Sequence, residues 1–163
     1  MSRIKIKIYT TGGSIDKTYS TRESDFIVAA PVITQVLNEA NIDLDYEVVP
    51  ICRKDSLEIT DLDRRQLAQC ISADPNRYIL ITHGTDTMVA TAKALQAIPN
   101  KVIVLTGAMK PASFRESDAP FNAGCAIMAL QTLPEGVHLV MNGRVFDPTK
   151  TKKNLEENRY EQS

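Results

Sequence analysis

Four short polar segments of this chain carry the residue types that hydrolytic chemistry uses. The first is Thr10-Thr11-Gly12-Gly13-Ser14-Ile15-Asp16. Paired glycines permit a tight turn and close approach of the main chain to a ligand. Successive N–H groups in such a turn can form a nest for an oxyanion or carboxylate, and hydroxyls on both sides add a candidate nucleophile. A plain glycine-rich turn, or the phosphate loop of a flavodoxin-like domain, would use the same residues. The dinucleotide pattern G-x-G-x-x-G and the Walker pattern are both missing. The second segment, Thr82-His83-Gly84-Thr85-Asp86-Thr87-Met88, places hydroxyls and a carboxylate where a helix begins. One reading makes Asp86 and Thr87 simple caps of that helix. The same placement also suits a ligand with an anionic and an ammonium group, because a helix start favours the first and a carboxylate the second. A free α-amino acid carries both. The third segment, Thr106-Gly107-Ala108-Met109-Lys110-Pro111, opens a long polar loop that continues through Ser117-Asp118-Ala119-Pro120-Phe121-Asn122, the kind of loop that often serves an active site. The fourth is Thr149-Lys150-Thr151, where spacing alone says little.

These segments need elements to hold them. Ile4 to Tyr9 reads as a first strand, whose lysines suggest an edge position or charged strand ends. Pro31 to Ala40 reads as a helix and Tyr46 to Ile51 as a strand. Thr60 is a candidate N-cap for a helix whose buried face is Leu62, Leu67, Cys70 and Ile71. Tyr78 to Thr82 is apolar enough for a central strand. A helix follows over Thr87 to Ala97, a strand over Lys101 to Leu105, a helix over Pro120 to Leu133 and a strand over Val137 to Met141. Asn142-Gly143 then turns into Arg144-Val145-Phe146. The alternation predicts an α/β fold with a mostly parallel sheet and helices on both faces, a flavodoxin- or Rossmann-like three-layer arrangement. Residues 1–151 form the expected domain, and 152–163 the expected polar tail. Ligands of such sheets bind beyond the carboxyl ends of the strands, and each polar segment follows a strand.

Bulk properties narrow the function. A 163-residue chain suits one domain, which buries about 70% of its unfolded surface and needs no disulfide or metal to fold. The net charge is −1, so no basic field points to nucleic acid or to a membrane surface. Cys52, Cys70 and Cys125 are widely spaced, without metal-ligand spacing, and are expected to be buried, reduced thiols. No cofactor and no metal are expected. Met1 to Lys7 contains no long apolar run, so neither a leader nor a spanning helix is expected, and the cytoplasm is the default location.

Taken together, in this order and after these strands, the four segments resemble the bacterial-type L-asparaginase family. Ile8 to Ile15 resembles its first threonine segment, TGGTI. Ile81 to Met88 matches its second signature, and Gly107 to Pro111 and Asp118 to Asn122 match further segments. The resemblance covers nearly the whole chain and implies the fold of the asparaginase N-terminal domain. It also implies hydrolysis of L-asparagine to L-aspartate and ammonia through an acyl-enzyme. By position, Ser14 falls at the nucleophile, usually threonine. Thr85, Lys150 and Asp86 match the second hydroxyl, the lysine and the acid beside it. Asp55-Ser56 resembles the substrate segment, with Ser56 on the substrate carboxylate, Asp86 on its α-ammonium, Gly84 and Thr85 beside it, and the main chain at Ala108 facing the leaving amide.

Three departures from the family follow. Serine in place of threonine frees χ1, so the hydroxyl is less firmly aimed, although serine is a competent nucleophile. Phe26, by its distance to Pro31, stands where the family keeps a mobile tyrosine; Tyr19 in the same loop is the candidate substitute. The chain resembles a short-chain, single-domain subgroup, for which weaker substrate binding and a homo-oligomer are expected. The competing expectations are a catalytically weak or inactive amino-acid sensor and a flavodoxin-like phosphate binder.

Overall fold

The computed structural model describes residues 3–163; Met1 and Ser2, the start of the segment read for a leader, lie outside the described residues. Strict alternation of side chains builds the centre of the molecule. Ile79 and Ile81 point to one face of the sheet and Leu80 to the other, and Ile103 and Leu105 oppose Val102 and Val104 in the same way. Strands buried on both faces in this manner belong to parallel sheets with helices on each side.

Six strands form the sheet: β1 (Lys5–Gly12), β4 (Asp45–Lys54), β5 (Tyr78–Thr82), β6 (Val102–Thr106), β7 (Gly136–Met141) and β8 (Arg144–Phe146), in the order β4-β1-β5-β6-β7-β8. All neighbours are parallel except β7 and β8. Helices α1 (Ile33–Glu39) and α4 (Ala119–Thr132) cover one face, packing Ile33, Leu37, Ala126 and Leu130 on Ile6, Ile8 and Leu80. Helices α2 (Asp61–Ala73) and α3 (Met88–Ala94) cover the other, with Leu67, Ile71, Met88 and Ala92 against Tyr9, Ile79 and Ile81. The expected α/β three-layer fold is therefore present. Thr60 caps α2 through a reciprocal box with Asp63. None of the helices among the described residues is long and apolar enough to cross a membrane.

The structure decides one open reading, in favour of charged strand ends, and changes three expectations. β1 is not at an edge, since β4 and β5 flank it. Its lysines mark the strand's amino-terminal end: Lys7 leaves the core to reach Glu47 at 2.5 Å and Asp74 at 3.7 Å, beyond the end of α2. Nor is 152–163 a loose polar tail. It forms a hairpin of β9 (Thr151–Asn154) and β10 (Arg159–Gln162), because one aromatic residue, Tyr160, is 3% exposed and packs against Phe146 in the core. A second hairpin, β2 (Lys17–Ser20) with β3 (Asp25–Val28), follows β1. The three thiols are unpaired and half-buried rather than fully buried, and Leu62, expected on the buried face of α2, is exposed at the helix start while Leu67 and Ile71 are buried.

In sequence order the five parallel strands of the sheet run 2-1-3-4-5. The connections leave β1 and β5 in opposite directions, so a crevice opens beyond their carboxyl ends, where sheets of this type place their ligands.

Candidate active site

The first two polar segments meet in that crevice. After β1 the chain makes a one-turn 3-10 helix, Ser14–Asp16. Gly13 precedes it with φ of 89°, a left-handed conformation that favours glycine. A Cβ at Gly13 would lie 2.3 Å from Gly84 Cα, so the main chain leading into Ser14 lies directly on the main chain leading into Thr85. Gly84 in turn has no room for a Cβ because Ser56 fills that space, its Cβ 2.5 Å from the point concerned. Three loops, after β1, β4 and β5, are thus stacked with nothing between them. The loop after β6 closes the fourth side, where Ala108 packs on Ile15 and Ala112 N–H donates to Ile15 O at 3.1 Å.

Local contacts decide the role of the second segment's hydroxyls. Thr87 makes no side-chain cap on α3. Its Oγ1 instead donates to Ser56 O at 2.6 Å, and Asp86 N–H donates to Ser56 Oγ at 3.2 Å. The Ser56 hydroxyl accepts that bond, which leaves its own proton free to donate. Asp55 opens the 3-10 turn Ser56–Glu58 through a capping box.

The lysine that reaches Thr85 and Asp86 is Lys153 rather than Lys150, to which the family resemblance points. Lys153 Nζ lies 2.8 Å from Thr85 Oγ1 and 2.6 Å from Asp86 Oδ1. Lys150 is exposed at the end of the turn Pro148–Lys150, where its carbonyl accepts from the N–H of Ser163. The reason is the strand that begins at Thr151. Side chains alternate along it, so Thr151 and Lys153 face inward while Lys152 faces out. Pairing of Lys153 with Tyr160 across the hairpin brings both to one residue: the Tyr160 hydroxyl donates to the carbonyl of Thr85, while the lysine holds its hydroxyl.

Buried polar groups fix these loops from behind. His83 is fully buried, with Nδ1 2.7 Å from Gly84 O and Nε2 2.8 Å from Thr91 Oγ1. Arg64 Nε donates to the same threonine oxygen at 3.0 Å. Burial pushes the His83 pKa down to about 4, outweighing the opposing bond to Gly84. The imidazole is thus neutral and donates from Nδ1. Asp16, 4% exposed, accepts from Val32 N–H at 3.0 Å through one carboxylate oxygen, and its other oxygen is buried without a partner. Burial pushes its pKa up to about 6 against the pull of that N–H and of Arg53. Asp118 takes the N–H groups of Met109 and Lys110, each at 3.0 Å, and pins the loop after β6 to the start of α4.

Ser14, Asp55, Ser56, Gly84, Thr85, Asp86 and Ala108 all stand on the loops that line this crevice. Tyr19 stands apart. It lies on β2, 55% exposed, its ring edge-on to Phe26 with centroids 5.7 Å apart. Phe26 continues to Phe114 at 5.6 Å. Lys153 and Tyr160 were not legible as site residues while 152–163 was read as a tail. The alternation Thr151, Lys153 together with an isolated aromatic is the signal that a strand reading would have used.

Fold and site define a class: a parallel α/β domain with hydroxyl groups, a lysine and a carboxylate gathered at the switch point of its sheet. Residues 5–160 match the family model described as Asparaginase, N-terminal, and the chain belongs to that family. It is 31% identical over 158 residues to L-asparaginase 2-3 of Saccharomyces cerevisiae, an alignment covering 86% of this chain and 42% of that protein. Among solved structures it is similar to the thermostable L-asparaginase from Thermococcus kodakarensis, with a TM-score of 0.85 and 27% identity over 98% of this chain and 51% of that one. It is also similar to a probable cytoplasmic L-asparaginase from Campylobacter jejuni, with a TM-score of 0.80 and 26% identity over 93% of this chain and 48% of that one. The chain spans about half the length of these proteins.

Proposed function

We propose that this protein hydrolyses the side-chain amide of L-asparagine, releasing L-aspartate and ammonia through an acyl-enzyme on Ser14. The observation that carries this reading is Lys153 Nζ held between Thr85 Oγ1 and Asp86 Oδ1, on the loop that packs directly against the Gly13-Ser14 turn. An amide needs an activated hydroxyl, donors for the developing oxyanion and a proton for the departing ammonia. Ser14 supplies the hydroxyl. Thr85, bonded to a lysine that is itself paired to a carboxylate, is placed to relay protons. The Gly13 N–H, expected as an oxyanion donor, is instead taken by Lys54 O at 2.9 Å, so main-chain N–H groups near Thr85 supply the donors, and the main chain at Ala108 faces the leaving amide. Ser56, whose proton is free, takes the substrate's α-carboxylate, and Asp86 takes its α-ammonium. Tyr19 is the candidate for the hydroxyl that Phe26 lacks, delivered by movement of its hairpin. The acyl bond to Ser14 Oγ forms as ammonia leaves, and water then returns the serine.

The reading extends to a cytoplasmic homo-oligomer. The unpaired thiols and the likeness to a probable cytoplasmic L-asparaginase support the location. Exposed Phe121, Met128 and Val145 support association. The deciding experiment is ammonia release from L-asparagine by the purified protein and by Ser14→Ala. Wild type is expected to turn over and the variant to lose at least a hundredfold. Equal rates would remove Ser14 from the mechanism, and asparagine binding without ammonia release would make the protein an amino-acid-binding domain instead.

A further inference from the structure

Lys17, three residues after Ser14, meets the substrate segment from the first loop. Its Nζ lies 2.6 Å from Asp55 Oδ2, and the two side chains are 27% and 30% exposed. Asp55 adjoins Ser56. Its other oxygen accepts the N–H of Leu57 at 3.1 Å, and its own N–H is held by Glu58. The pair is therefore fixed on the residue that precedes Ser56.

Charge makes the position informative. Two carboxylates, Asp55 and Glu58, flank Ser56 along the chain, and the main-chain N–H of Asp86 is bonded to its hydroxyl. Lys153 is already committed to Thr85 and Asp86. An α-carboxylate docking on the Ser56 hydroxyl would face this negative rim with one neutral donor. A carboxylate removed from water needs a paired cation or several donors to offset its desolvation. Lys54, next along the chain, is committed to Asp63, and the cation that meets this rim from the first loop is Lys17. One N–H of its ammonium serves Asp55, and two remain for a second acceptor. The bond from Lys17, ahead of the field of Lys153, also holds the Asp55 carboxyl below the usual carboxylate range.

We propose that Lys17 is a specificity-determining residue that binds the α-carboxylate of the amino-acid substrate, bridging it to Asp55. The inference rests on the reading of the crevice as an amino-acid amidohydrolase site and adds a residue to it. The assignment also explains why the cation stands on this element. Lys17 opens β2, and its carbonyl accepts from Ser113 Oγ at 2.9 Å. A substrate held by Lys17 is thereby joined to the root of the first hairpin and to the loop after β6.

The test compares wild type, Lys17→Met and Lys17→Arg on L-asparagine and on asparaginamide, which keeps the side-chain amide and lacks the α-carboxylate. Lys17→Met is expected to raise KM for asparagine at least tenfold, with a smaller change in kcat, and to leave KM for asparaginamide within about twofold. The preference for asparagine over asparaginamide should fall by the same factor. Lys17→Arg, which keeps the charge, should stay within about threefold of wild type on both. Unchanged KM for asparagine in Lys17→Met, or an equal loss on both substrates, overturns the proposal. Calorimetry with L-aspartate separates the two readings. If wild type releases no ammonia but binds aspartate at least tenfold more tightly than Lys17→Met does, the amidohydrolase reading fails and Lys17 keeps its role. If wild type does not bind aspartate, both fail.

Discussion

The two small hairpins outside the main sheet are built alike and held differently. β2–β3 projects beyond the Ser14 turn with its large side chains in solvent: Tyr19, Phe26 and Ile27 are all at least 40% exposed. Apart from its root, its anchor is a chain of half-exposed rings, Tyr19 on Phe26 on Phe114. β9–β10 is more polar in composition, yet it is locked. Tyr160 is in the core with its hydroxyl on the Thr85 carbonyl, and Lys153 bonds two groups of the site. Apolar content therefore does not predict which hairpin is fixed. One fully buried aromatic with a satisfied hydroxyl outweighs several half-buried ones, because stabilisation follows the area removed from water. The contrast is one of anchoring: the second hairpin is fixed to the core and to the Thr85-Asp86 loop, while the first meets the body of the molecule through its root and half-exposed rings.

Substitution of Lys153 breaks this contrast most strongly. Lys153→Met should lower kcat for asparagine by about 10²–10⁴, the range for a lost proton-transfer group, and leaves Asp86 without its cation. Lys150→Met should stay within about twofold. Steady-state ammonia release measures both. Comparable losses in the two variants would return the catalytic role to the Thr149-Lys150-Thr151 segment.

Truncating one aromatic in each hairpin sharpens the comparison in stability. Tyr160→Ala should cost about 3–5 kcal/mol, the usual range for deleting a buried large ring, with the Thr85 carbonyl left without its donor in addition. Phe26→Ala, at a site 44% exposed, should cost no more than about 1 kcal/mol. Urea unfolding of the two variants measures the gap. Equal costs would mean that the first hairpin is as firmly packed as the second.

The hairpins also mark where sequence reading succeeds. The sheet was legible because period-two apolar runs such as Tyr78 to Thr82 and Val102 to Leu105 are dense, and the layers repeat the same signal. Ser14, Ser56, Thr85 and Asp86 were legible because each follows such a strand. β2–β3 and β9–β10 were not, since four-residue strands such as Lys17-Thr18-Tyr19-Ser20 and Thr151-Lys152-Lys153-Asn154 lie outside the sheet and are mostly polar. Their pairing is set by tertiary contacts, with Tyr160 the clearest case. The resemblance points to Lys150, whereas the alternation along β9 turns Lys153 inward to Thr85 and Asp86, and a segment read as a tail has no inward and outward faces. The pairing of Lys17 with Asp55 joins residues 38 apart in the chain, which no local pattern encodes.

A subtler contrast lies at the roots of the two hairpins, where each has a buried titratable group with the opposite response to pH. Asp16, behind the Ser14 turn, accepts Ala29 N–H through its main-chain carbonyl and so holds the return leg of the first hairpin. His83 sits behind Gly84-Thr85, the segment that the second hairpin grips. The Asp16 pKa rises from 3.8 to about 6 on folding. The native state therefore keeps this proton where the unfolded chain loses it. Its stabilising contribution is complete below about pH 4 and is lost as pH rises through about 6, to the extent of roughly 3 kcal/mol. The His83 pKa falls from 6.5 to about 4. Its contribution is present above about pH 6.5 and is lost as pH falls through about 4, by a similar amount. Between pH 4 and 6.5 the two slopes oppose, so these groups together leave wild-type stability nearly level. Asp16→Asn removes one of them. Its stability should fall by roughly 3 kcal/mol from pH 6.5 to pH 4 while wild type changes little. Above pH 7 the variant should exceed wild type, by less than that amount because its buried amide N–H groups lack an acceptor. Urea titrations at four pH values between 4 and 8 measure both profiles. Parallel curves for the two proteins would show that Asp16 is not the group that sets the slope.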